Sequence, residues 1–188
     1  MTETTPRRPG SETREEILRV ALDLFTRQGF EGTSIRDLSQ ALGVTKSALY
    51  YHFPSKEAII RTLVDDRRAE VADLLAWVEE QPPGPDLLRR TALRWVESTT
   101  PRRLSGMRFA RANSPTMRRL AAEADGVSSW VDDVVVRVLP AGASTQERLM
   151  ARMAFDTVAA ALFAAQAEDA DDDDVLQAAR AATEALTA

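Results

Sequence analysis

Cysteine is absent from the 188 residues and histidine occurs once, at His52. Without thiols there is no disulfide framework and no thiolate chemistry, and one imidazole cannot build a histidine-rich zinc site. No apolar run reaches the ~18 residues needed to span a bilayer. The opening stretch MTETTPRRPGSE holds no apolar segment of the kind that directs secretion. These absences predict a cytoplasmic chain with no membrane contact, no bound metal and no other cofactor.

Lysine and tyrosine are nearly as scarce, and they are not scattered. Lys46, Lys56, Tyr50, Tyr51 and His52 all lie within GVTKSALYYHFPSKEAI, residues 43 to 59, and account for every lysine, tyrosine and histidine in the chain. The remaining 22 of the 24 basic residues are arginines. The net charge of -5 is equally uneven. Residues 1 to 56 carry eight Lys/Arg against seven Asp/Glu, whereas residues 57 to 188 carry sixteen against twenty-two. The acidity belongs to the second part, so it does not argue against a polyanionic partner for the first.

What is abundant is apolar residues at helical spacing, with no sustained alternation of period two, which predicts an all-α protein of about nine helices. Thr13-Arg14-Glu15-Glu16 has the capping-box pattern, and Ile17, Val20, Ala21, Leu24 and Phe25 then share one face until Gly29. Ser34, with Asp37 three residues on, opens a short second helix with Ile35, Leu38 and Leu42 inward, ending at Gly43-Val44. Thr45 can cap a very short third helix through Tyr51. Pro54-Ser55 breaks the chain before a long fourth helix, which QPPGP at 81 to 85 closes. Five further helices are expected near 86–99, 102–113, 116–139, 145–167 and 173–187. Residues 1–12 read as a disordered tail, 13–54 as a helix-turn-helix domain, and 55–188 as a second domain joined to it by the helix at 55–80.

A short helix, a glycine turn and a second short helix make a helix-turn-helix, whose second helix enters the major groove. Its first residues, Thr45, Lys46, Ser47 and Ala48, are small or cationic. Leu49 and Phe53, four apart, face the core and leave Tyr50, Tyr51 and His52 outward, where phosphates pass. Lys56 opens the next helix, where its charge and the free N–H groups attract an anion.

The stretch TSIRDLSQALGVTKSALYYHFPSKEAI resembles the signature of the TetR family of bacterial transcriptional repressors, and the likeness covers residues 14 to 60. The resemblance implies that Arg36 contacts bases, and that Thr45, Lys46, Ser47, Ala48 and Tyr51 meet base edges or nearby phosphates. Tyr50, His52 and Lys56 would anchor the phosphate backbone, helped by Ser34 or Thr33. Ser39 departs from the usual alanine but is equally small. For the remainder the resemblance implies a helical effector-binding and dimerisation domain; with no cysteine or histidine for nucleophile or base and no glycine-rich phosphate loop in that part, no enzymatic activity is expected. The last two long helices of each subunit would form a four-helix bundle. A small-molecule effector would shift the fourth helix and release a homodimer from a palindromic double-stranded DNA operator. A DNA-binding protein without effector, an activator, or a helical enzyme with a DNA-binding head are the alternatives.

In the second part, Trp95, Met107, Phe109, Trp130, Met153 and Phe155 can line an apolar pocket or simply fill the core. Six arginines, at 102, 103, 108, 111, 118 and 119, stand between Ser98 and Ala122 with no acidic residue among them. Arg108 or Arg111 can fix an anionic effector, or these arginines pair with the acidic run EDADDDD at 168 to 174. That run has neither the glycine nor the terminal glutamate of an EF-hand, and Asp172 or Asp173 is expected to cap the final helix. The alanine-dense stretch AFDTVAAALFAAQA suggests a dimer seam through Phe155, Ala159, Leu162, Phe163 and Gln166, joined by Leu176 and Ala179.

Overall fold

The computed structural model describes residues 10–117 and 127–188. Within them the protein is all-helical, with ten α-helices, one 3-10 turn and no strand. In chain order these are α1 Gly10–Gln28, α2 Ile35–Leu42, α3 Lys46–His52, α4 Lys56–Glu79, α5 Leu87–Glu97, α6 Pro101–Ala112, α7 Val127–Val138, α8 Thr145–Phe155, α9 Thr157–Ala164 and α10 Asp172–Leu186. Among these residues no single helix is long and apolar enough to cross a membrane.

Most starts are set by the expected caps. Ser34 and Ser144 each close a capping box, with Asp37 and Glu147 returning a bond to the cap backbone, and Thr45 caps α3 through the Ala48 N–H. Three boundaries differ from expectation. α1 begins at Gly10, so Thr13 lies inside its first turns and does not start it. The last helix is capped by Asp171, not Asp172 or Asp173, because Asp171 has the extended backbone a cap needs and accepts from the Asp174 N–H. The single helix expected at 145–167 is two, α8 and α9, bent by 59° at Asp156.

Three clusters make the core. The first gathers Ile17, Leu18, Leu22 and Phe25 of α1 with Leu38, Leu49 and Phe53, and takes in Ile59 and Ile60 of α4 and Phe109 of α6. The second joins α4 to α5, α7 and α8 around Trp95 and Phe155, and the third joins α5 and α6 to α9 and α10 through Val96, Leu104, Leu162 and Ala179. The head core therefore does not stop at residue 54. Its aromatic centre is Phe25, Phe30 and Phe109, with ring centroids 5.1, 5.8 and 6.5 Å apart. Asn113, buried just past α6, accepts from the Phe30 N–H at 2.8 Å and donates to the Phe25 carbonyl at 3.0 Å.

Candidate nucleic-acid interface

The reading helix is placed by its two ends and its inner face. Gly43 takes φ 65°, the left-handed conformation that ends α2 and turns the chain into α3. Thr45 then accepts from the Ala48 N–H at 3.1 Å. Leu49 and Phe53 are buried, which fixes the roll of this seven-residue helix. That roll turns Thr45, Lys46, Ser47 and Ala48 outward together with Tyr50 and Tyr51, and Arg36 of α2 is exposed as well. Tyr51 is 86% exposed and Tyr50 48%. The Tyr51 ring meets His52 edge-on, with centroids 5.2 Å apart. Large amphipathic rings left in water beside a cation and small side chains match a surface that meets phosphates and base edges.

Three of the expected contact residues also carry structural work. Thr33 is almost fully buried and its hydroxyl donates to the Gly29 carbonyl at 2.8 Å, so it cannot face DNA. The Ser34 hydroxyl donates to Asp37 at 2.6 Å. Hydrogen bonds from Ser34 hold the Asp37 carboxyl below its usual range. Lys56 folds back from the start of α4: its ammonium donates to the carbonyls of Phe30 and Thr33, each at 2.7 Å, and sits 4.5 Å from the centre of the Phe30 ring. It braces the turn between α1 and α2 that aims the reading helix.

The model of bacterial regulatory proteins of the tetR family matches residues 17–63, from α1 into the first turns of α4. Residues 17–63 thus resemble the N-terminal region of TetR-family regulators. The transcriptional regulator AcrR of Shigella flexneri is 36% identical over 90 residues, covering 47% of this chain and 42% of that protein. The transcriptional repressor KstR2 of Mycolicibacterium smegmatis is 35% identical over 66 residues, 35% of this chain and 32% of that protein. The chain thus spans less than half the length of these relatives in each match. The similarity of fold runs further. The ketosteroid transcriptional regulator KstR2 of Mycobacterium tuberculosis superposes with a TM-score of 0.66 over 96% of this chain and 95% of that one, at 17% identity.

Behind this head, α4 and α6 flank a cavity of about 600 Å³ that is open to solvent on one side. Leu63 and Val64 of α4 face Gly106, Met107 and Ala110 of α6 across it. Charge enters on both sides: Asp66, Arg67 and Glu70 from α4, Arg102 and Arg103 from α6. Arg102 is bound to Asp66. The guanidinium carbons of Arg67 and Arg103 lie 3.9 and 3.8 Å from the centre of the Trp95 ring. Burial pushes the Arg103 guanidinium down to about 9, Arg67 beside it adds to the shift, and Glu70 opposes both. Burial lowers Arg67 too, against the pull of Glu70. At about 9 the Arg103 guanidinium still carries its charge at neutral pH.

Of the residues expected to hold an effector, Met107 lines this cavity. Trp95 and Phe155 are buried in the second core cluster, and Phe109 fills the head core, because helical phase turns it away from Met107 and Ala110. Trp130 is covered by Arg68, at 5.1 Å, and Met153 is exposed. Arg108 and Arg111 sit on the far side of α6. Arg108 donates to Asp172 at 2.5 Å, and Arg111 donates to Gln166 at 2.6 Å while covering Phe163 at 4.2 Å. Pairing with the acidic run was thus the right alternative for Arg108. Arg118 and Arg119 lie outside the described residues. Sequence reasoning missed Arg67 and Glu70; Arg103 was visible within the arginine excess but indistinguishable from its neighbours.

Proposed function

We propose that the chain is a sequence-specific transcriptional repressor of the TetR type, working in the cytoplasm as a homodimer on a palindromic DNA operator and released by a small molecule. The observation that carries this is the outward face of α3 and α2, where Arg36, Thr45, Lys46, Ser47, Ala48, Tyr50 and Tyr51 are exposed together while their neighbours are spent on the core. His52 stands half-buried at the edge of that face, in position for the phosphate backbone.

Release by an effector is supported by α6 serving two sites. Gly106, Met107 and Ala110 line the cavity, while Phe109 of the same turns lies in the head core and Asn113 binds the α1 to α2 turn. A molecule that moves α6 must move the head, and a ligand that fits one head position better shifts the population toward it.

Dimerisation is supported by the outer faces of α9 and α10. Ala159 and Phe163 of α9 and Gln166 of the 3-10 turn that follows it are exposed, Phe163 to 63%, and Leu176 of α10 is half-buried. Phe155, Leu162 and Ala179 are buried within their own subunit and drop out of the seam expected from the sequence. Small residues on adjoining helices let a second copy approach closely, and two reading heads then meet half-sites about one helical turn apart.

The test is selection of genomic fragments by the purified protein at fixed salt, followed by footprinting, with Lys46→Ala in parallel. The expected outcome is one palindrome enriched by the native protein and lost by the variant. Equal enrichment of unrelated fragments by both would remove the reading.

A further inference from the structure

We propose that the cavity between α4 and α6 binds a small organic carboxylate with an apolar body, its anionic group held between Arg67 and Arg103. The proposal deepens the effector reading above and rests on it. Two cations share one carboxylate on the cavity wall: Glu70 lies 3.5 Å from the Arg67 NH1 atom and 3.6 Å from the Arg103 Nε atom, beyond hydrogen-bond length in both cases. Those two donor atoms and the Glu70 oxygen between them are buried and meet at ion-pair distance rather than in short hydrogen bonds. The Arg103 side chain is only 6% exposed, and its one hydrogen bond runs to the Trp95 carbonyl at 3.3 Å.

Two largely buried guanidiniums against a single carboxylate are an expensive arrangement unless a second anion completes it. The other acidic groups nearby do not serve. Asp66 is engaged by Arg102, while Glu15 and Asp73 stand exposed at the rim and Asp156, also exposed, reaches Arg67 only through space. The unmatched charge inside is therefore positive. The planar donor fork of arginine matches a carboxylate better than any neutral acceptor does. Both guanidinium groups lie over the Trp95 ring, which limits how far they can swing away.

The rest of the cavity asks for an apolar body. Leu63, Val64, Met107, Ala110 and Met117 supply the walls, and Gly106 keeps one wall low. A Cβ at Gly106 would stand 3.7 Å from Leu63, in ordinary contact, so a side chain can start there without strain and its further atoms would intrude on the space. A volume of about 600 Å³ lies in the range of small-molecule sites.

The experiment titrates the full chain, free of DNA, with octanoate, 4-phenylbutyrate and 2-naphthoate and with the three matching amides, reading the thermal midpoint and tryptophan fluorescence. The expected result is saturable binding of at least one acid, at least tenfold weaker binding of its amide, and a tenfold or greater loss in Arg103→Gln and in Arg67→Gln. Either variant suffices should the other fail to fold. Gly106→Leu, which leaves every charge in place, is expected to abolish binding of the same acid. Binding of amide and acid with equal affinity, undiminished binding in the arginine variants, or no saturable binding of any of the three acids would overturn the proposal. Operator affinity is measured separately with and without the bound acid. Acid binding that leaves operator affinity unchanged supports the site and removes the effector reading; operator binding by a protein that takes none of the acids does the reverse.

Discussion

At the scale of single residues, the two lysines illustrate opposite uses of the same side chain. Lys46 is exposed on α3, whereas Lys56 gives two donors to main-chain carbonyls that belong to a turn 26 and 23 residues earlier. Lys56→Met is expected to lower stability by about 1.5 to 3 kcal/mol, the usual worth of a hydrogen bond to a charged group, and to weaken binding to all DNA alike. Lys46→Ala is expected to stay within about 0.5 kcal/mol of the native protein while losing discrimination between operator and unrelated DNA. Urea unfolding beside binding to both DNAs checks the pair. A Lys56→Met protein as stable as the native one would mean that the brace carries no weight. The rarity of lysine, tyrosine and histidine made this region legible as a site, because scarcity is a property of composition. Which lysine faced outward was not legible, since the carbonyls that capture Lys56 are brought to it only by the folded turn.

At the scale of helices, local signals were read well and distant ones were not. The capping boxes at Ser34 and Ser144 were legible because both partners lie within four residues. Hydrogen bonds from Ser34 and Ser144 hold the Asp37 and Glu147 carboxyls low. A carboxyl with a folded pKa below its unfolded value, about 4, stabilises the protein above that value and ceases to do so as pH falls through the folded one. Asp37→Asn is therefore expected to make the fall in unfolding midpoint below about pH 4 shallower and to leave its pH dependence above pH 5 unchanged. A titration of the midpoint for both proteins checks it. The break at Asp156 was hidden, because its causes lie far along the chain. The bend frees the carbonyls of Ala154 and Phe155, and these accept from Thr157 at 3.3 Å, Thr183 at 3.4 Å and the Trp95 indole at 3.2 Å. Thr183→Val keeps the volume of this buried side chain but removes the hydroxyl from 2.8 Å beside that of Thr157. A loss of about 1 to 3 kcal/mol is expected, as for a buried polar group left unpaired, with Thr183→Ser retaining the hydrogen bonds. Equal stability of the Val and native proteins would show that the bend is held by packing alone.

At the scale of the whole molecule, the division into a head ending at residue 54 and a body beginning at 55 does not describe the packing. Apolar periodicity shows which face of a helix is buried, not which neighbour buries it, so nothing in the sequence marks Phe109 as a member of the head core. Residues 1–54 alone would lack Ile59, Ile60 and Phe109, three fully buried members of that core, and are expected to show no cooperative unfolding. Native cooperativity can be followed from both sides, since Tyr50 and Tyr51 lie in the head whereas Trp77, Trp95 and Trp130 all lie beyond it. Tyrosine and tryptophan signals are expected to report one coincident transition in urea. Asn113→Ala removes the side chain that joins the Phe30 N–H and the Phe25 carbonyl to the end of α6, which strands both groups in the interior at a cost of about 1 to 3 kcal/mol. The tyrosine transition is then expected to move to lower urea ahead of the tryptophan transition, and operator affinity to fall although residue 113 lies just past the helix that walls the cavity and not on the reading face. Coincident curves in Asn113→Ala would mean that Phe109 and α4 carry the coupling without the asparagine, and that a ligand moving α6 reaches the head through packing rather than through this pair of hydrogen bonds.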